Sequence, residues 1–85
     1  MDSETLIGRF VYSKAGRDKG KPYIIVKVLD EKYVLLSDGS LRTLERPKKK
    51  KLIHLNVTKI AFAIEDLNNS IIKKIIKSYD KNEEV

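Results

Sequence analysis

The sequence predicts a mainly β domain: a small antiparallel barrel or meander of about five strands, followed by an amphipathic α-helix. Three observations carry this expectation. Short runs of β-branched and aromatic residues fill the first two-thirds of the chain, separated by turns bearing Gly, Asp and Pro. Beyond Glu65 the apolar residues recur every third or fourth position instead. The chain has 85 residues, of which 41% are hydrophobic, enough for one thin core and therefore one domain.

The first strand is read over residues 6–12, LIGRFVY, where Gly8 marks a bulge or a close approach. A second, PYIIVKVL at 22–29, sets Ile24, Val26 and Val28 on one face and Lys27 on the other. After the polar turn Asp30-Glu31-Lys32 comes a third, YVLLS at 33–37. Asp38-Gly39 is the pair wanted by a type I′ hairpin turn, which needs positive φ at both central residues. A fourth strand is expected over SLRTLER, 40–46, ended by Pro47 because proline has no N–H for the ladder. Then LIHL, 52–55, reads as a short fifth strand or a 3₁₀ turn, and KIAFAI, 59–64, as extended or helical. Ile64, Leu67, Ile71, Ile75 and Tyr79, with Ile72 and Ile76, form the stripe of a helix of about 15 residues, roughly 22 Å long. It starts near Glu65, or at Ser70 as an N-cap. The division expected is residues 1–60 for the barrel, 61–80 for a helix packed on it, capping one open end, and 81–85 for a disordered tail.

Charge is unevenly placed. Residues 1–59 carry 14 Lys/Arg against 7 Asp/Glu, whereas residues 60–85 carry 4 against 5, giving the whole chain a net charge of +6. A basic excess confined to one region points to an acidic partner, most often nucleic acid. Two segments hold most of it. The loop SKAGRDKGKP contributes Lys14, Arg17, Lys19 and Lys21, and Gly16 and Gly20 let its backbone come close to a sugar-phosphate chain. The second segment contributes Arg42, Arg46, Lys48, Lys49, Lys50 and Lys51. If the two loops meet at one end of the barrel, their cations form a rim that displaces counterions from phosphates, and that release drives binding. The KKKK run is weighed against a solvated charge run or tether, and the loop against a hairpin kept soluble by its charges. Tyr12 and Tyr23 flank the loop and are candidates for stacking on exposed bases; Phe10 and Tyr33 are read as core.

Enzymatic chemistry is not expected. The chain has one histidine and no cysteine, so it lacks a thiolate, a disulfide and the ligands a metal site needs. AGRDKGKP does not have the GxxxxGK[ST] spacing of a phosphate-binding P-loop. His54, between Ile53 and Leu55, is read as structural or phosphate-facing and not as a base. No cofactor is expected. MDSETLIGRF lacks the basic start and apolar run of a secretory signal, and the longest apolar run, IAFAI, is far too short to span a membrane. A cytoplasmic location is the expectation, with no membrane partner. The basic and isoleucine faces of IIKKIIKS have the form of a membrane-surface helix, but packing on the barrel is favoured. A monomer is expected, with the isoleucine face as the alternative dimer surface.

The stretch from Leu6 to Lys32 resembles the KOW motif of ribosomal proteins and transcription elongation factors. Gly16 matches its fixed glycine, Lys19-Gly20 its Lys-Gly pair, and Val26 and Val28 its paired valines. Further on, VLLSDG followed by ERPKKKKLIHL, with Arg46-Pro47 and His54-Leu55, resembles the archaeal and eukaryotic large-subunit ribosomal proteins of the KOW class. Short bacterial KOW-domain RNA-binding proteins are similar in length and layout. The resemblance covers about residues 6–56 and leaves the helix unexplained. It implies an SH3-like barrel and binding to RNA, ribosomal RNA or the ribosome. Because KOW domains also bind proteins, a protein-interaction module of a transcription or translation complex is the second expectation.

Overall fold

The computed structural model describes residues 3–80; the tail expected at 81–85 lies outside the described residues. Five strands form one antiparallel sheet: β1 (Arg9–Ser13), β2 (Pro22–Val28), β3 (Tyr33–Ser37), β4 (Lys48–Lys51) and β5 (Leu55–Ala61). They lie in the order β4-β3-β2-β1-β5, so β4 and β5 are the edges of an open sheet. A single helical turn, α1 (Ser3–Leu6), precedes the sheet, and α2 (Asn69–Tyr79) follows it. The domain is small, with Cα extents of 35 × 28 × 24 Å.

Alternation along the strands sends apolar side chains to both faces, and each face is covered. On one face Leu6, Val11, Tyr23, Ile25, Val34, Leu36 and Leu55 form a core with Val28, Leu52 and Val57 against it. On the other, Phe10 and Ile24 pack with Ile72 and Ile75 of α2. Phe10, Ile24 and Ile72 are fully buried. The helix therefore covers a face of the sheet instead of capping a barrel end. An amphipathic stripe at i and i+3 needs a broad apolar partner, and Phe10 and Ile24, paired across β1 and β2, provide one.

Several boundaries differ from the sequence expectation. The first strand begins at Arg9, because Ser3–Leu6 is helical. In β2 the register shifts between Ile25 and Lys27. This bulge at Val26 changes the phase of alternation, so Val28 joins the face of Ile25 and not that of Ile24. Asp38-Gly39 does not form a type I′ turn. Only Gly39 has positive φ, at 77°, and Asp38 uses its side chain instead: Oδ1 accepts hydrogen bonds from the backbone N–H of Ser40 and Arg42, both at 2.9 Å.

The expected fourth strand at 40–46 is a loop, and the lysine run forms β4. Side chains intercept the backbone of that loop before it can pair. The Arg42 carbonyl accepts from the Ser37 hydroxyl, and the Leu44 N–H donates to Asn69 Oδ1 at 2.8 Å. β4 then pairs with β3 in the register Leu36↔Lys48 to Tyr33↔Lys51. LIHL resolves into a 3₁₀ turn at Leu52–His54, and the chain from Leu55 to Ala61 is extended. α2 starts later than Glu65: Asn68 is the N-cap, its side-chain oxygen accepting from the Ile71 N–H at 2.8 Å.

Candidate nucleic-acid interface

The loop at residues 14–21 is ordered by its own backbone. The Ser13 N–H donates to the Lys21 carbonyl at 2.9 Å, the Gly20 N–H to Ser13 at 2.7 Å and the Lys21 N–H to Asp18 at 2.9 Å. Gly16 and Gly20 have φ of 85° and 89°, the left-handed region where side chains are strained. A Cβ on Gly16 would also lie 3.5 Å from Lys50 Nζ, whereas one on Gly20 would meet open space.

That proximity reveals what joins the two basic segments. Asp18, the only acid in the loop, is 5% exposed. Its Oδ1 accepts from Lys50 Nζ at 2.8 Å and from the Ser13 hydroxyl at 2.8 Å. Its Oδ2 lies 3.4 Å from Lys48 Nζ and from the Tyr23 hydroxyl. Lys50 Nζ donates as well to the Ala15 carbonyl at 2.9 Å. Lys48 and Lys50 stand opposite Leu36 and Val34, and cross-strand partners share a face. The loop thus folds over that face of the sheet and is pinned there by two lysines of β4. Burial alone pushes the Asp18 carboxyl up. Hydrogen bonds from Lys50 and Ser13 and the charges of Lys48 and Lys50 reverse this and hold it well below the usual carboxylate range. Burial and the Asp18 charge push the Tyr23 hydroxyl the other way, up to about 12.

The lysine run therefore splits by strand geometry. Lys48 and Lys50 face the Asp18 cluster, their side chains only 27% and 11% exposed. The run is thus neither a tether nor a uniformly solvated face. Lys49 and Lys51 point to the opposite face and are exposed. Lys49 Nζ sits 4.6 Å above the Tyr33 ring, a cation–π contact; Tyr33 is half-buried and not core.

Lys14, Arg17, Lys19 and Lys21 are all exposed around the buried Asp18. Arg42 is half-buried, and the 38–47 loop leaves β3 after Ser37, which pairs with Ile24 near the end of β2 that the first loop enters. Arg46 is exposed, and its backbone is turned by Thr43. The His54 carbonyl accepts from the Lys14 N–H at 2.9 Å, so the 3₁₀ turn adjoins the same loop; the His54 side chain is half-buried. Tyr23 is buried and bonded to Asp18, so it offers no ring for stacking. Tyr12 packs edge-on against Phe10 at 5.3 Å and its hydroxyl donates to the Tyr79 carbonyl at 3.4 Å, which commits it to the α2 interface.

Asp18 is the residue that sequence reasoning passed over. Its signal was present: one acid among four cations, beside Ser13 and Tyr23, has many more partners within reach than an acid in a mixed surface.

Among the described residues no group of three or more His, Cys, Asp or Glu side chains could share a metal ion. No helix there is long and apolar enough to cross a membrane. No protein-family model matches the chain, and no curated protein matches it either.

Proposed function

We propose that this protein is an RNA-binding domain whose target is structured RNA, ribosomal RNA or the ribosome in the cytoplasm. It grips backbone phosphates through Lys14, Arg17, Lys19 and Lys21, assisted by Arg42, Arg46 and Lys51. The observation that carries this reading is the Asp18 anchor. One buried carboxylate spends two lysines to hold the loop against β4, and four exposed cations are left projecting from an ordered backbone. A preorganised cationic loop loses less conformational freedom on binding than a mobile one. Lys48 and Lys50 position the grip; the outward-facing cations make the contacts. On this reading the open sheet is an SH3-like barrel unclosed between β4 and β5, in keeping with the KOW-like residues. The protein acts without cofactor or catalysis, as a monomer, and its target is read mainly by shape and charge.

A quadruple Lys14/Arg17/Lys19/Lys21→Gln variant tests it. Binding to ribosomal RNA should weaken at least tenfold while the melting temperature stays within a few degrees. Unchanged affinity would remove the loop from the interface.

A protein-interaction module is the second reading, favoured by Leu41, an apolar residue 77% exposed next to Arg42 in sequence. Pull-down from lysate with and without nuclease separates the two. RNA-dependent capture supports the first reading, and partners that persist after nuclease support the second.

A further inference from the structure

Between the β2–β3 turn and the 3₁₀ turn lies a cavity of about 290 Å³ lined by Glu31, Lys32, Lys51 and Ile53. Two connections build it. The Leu52 N–H donates to the Lys32 carbonyl at 2.8 Å, which ties the 3₁₀ turn to the β2–β3 turn. Asp30 Oδ1 accepts from the N–H groups of Lys32 and Tyr33, both at 2.8 Å, and this fixes the turn that carries Glu31. Leu52 packs on the core, so the tight turn sends its neighbour outward: Ile53 is 73% exposed. At the other end of the same turn the His54 carbonyl holds the Lys14 N–H. The cavity thus adjoins the proposed phosphate grip.

The chemistry of the lining is specific. Ile53 offers an aliphatic wall for the flat face of a base. Lys32 and Lys51 have no ion pair among the described residues and supply charge for phosphate. The Glu31 carboxylate has oxygens only and accepts hydrogen bonds. The volume lies near the low end of the roughly 300–1,000 Å³ of small-ligand sites, which suits one base with its ribose. Two cations and one carboxylate leave a net charge of +1 at the site, matched to a single phosphodiester. An acidic peptide would meet the Glu31 carboxylate.

We propose that this cavity receives one unpaired nucleotide of the bound RNA, and that Glu31 makes it prefer guanine to uracil. The inference rests on the RNA-binding reading above and adds base selection to it. Sequence-specific RNA recognition reads the Watson–Crick edges of unstacked bases. Guanine presents adjacent N1–H and N2–H donors that a carboxylate accepts with both oxygens. Uracil presents one N–H flanked by two carbonyl oxygens, which the carboxylate repels.

The test uses the whole protein, titrated with 5′-GMP and with 5′-UMP and followed through the Ile53 δ-methyl and Glu31 amide NMR signals. GMP should shift both signals, with an affinity about tenfold above that of UMP. Glu31→Gln should erase most of that difference, and Ile53→Ala should weaken both nucleotides; both positions are exposed, so folding is not at stake. Signals that stay still with GMP, or that move equally with both nucleotides, overturn the proposal. The two readings fail separately. RNA binding that depends on salt while GMP leaves Ile53 unmoved removes the pocket and keeps the phosphate grip. A GMP response without any loop-dependent RNA binding does the reverse.

Discussion

A carboxylate only 5% exposed sits among Ser13, Tyr23, Lys48 and Lys50. Removing one partner of such a buried pair leaves charge uncompensated, which costs about 3–5 kcal/mol. Asp18→Asn should therefore destabilise the fold by about 3 kcal/mol in urea unfolding at pH 7. The pH dependence has a definite sign. The folded-state pKa of Asp18 is depressed below its unfolded value of about 3.9. Its contribution is full above that value and is lost as pH falls from about 4 towards the folded pKa. Thermal unfolding between pH 6 and pH 2 should show this loss in the wild type and a shallower acid slope in Asp18→Asn. Equal slopes would mean that the cluster carries no stability. Sequence alone placed Asp18 in a basic loop; it did not reveal the burial, because that depends on lysines 30 and 32 positions away.

At the scale of elements, α2 and β4 contrast in how visible they were. The α2 stripe was legible in part, because the 3.6-residue period is local to the helix: Ile72 and Ile75 are buried, whereas Ile71 and Tyr79 of the expected stripe are 38% and 42% exposed. Ile72→Ala should cost about 2–5 kcal/mol and Asn68→Ala about 1 kcal/mol, both read by chemical denaturation. β4 was not legible. Four lysines have low strand propensity and no apolar alternation. What makes them a strand is the free edge of β3 and the ion pairs across to Asp18. SLRTLER looked extended, yet Ser37, Asp38 and Asn69 capture its backbone. The alternation within β4 sharpens what its variants should do. Lys48→Ser with Lys50→Ser should lower the melting temperature by roughly 12–24 °C, the equivalent of about 3 kcal/mol. Lys49→Ser with Lys51→Ser should leave it within a few degrees, since an exposed cation–π contact contributes about 0.5–1 kcal/mol. Equal shifts for the two pairs would contradict the strand geometry.

Over the whole molecule, one sheet separates two apolar cores, and α2 occupies one face. The two basic loops leave the sheet at one end, from the end of β1, the start of β2, the end of β3 and the start of β4. The basic region was legible in the composition and the placement of charge, because charge asymmetry is a property of the chain itself. Which cations remain available for a partner was not legible, because it depends on which ones the fold uses internally. The role proposed for the exposed loop cations is to neutralise RNA phosphates. Filter binding of the wild-type protein to ribosomal RNA across a salt series tests it most directly. With about five phosphate contacts, log K should fall with log salt at a slope of about −3.5 for single-stranded segments and about −4.5 for duplex ones. A slope near zero would contradict the claim.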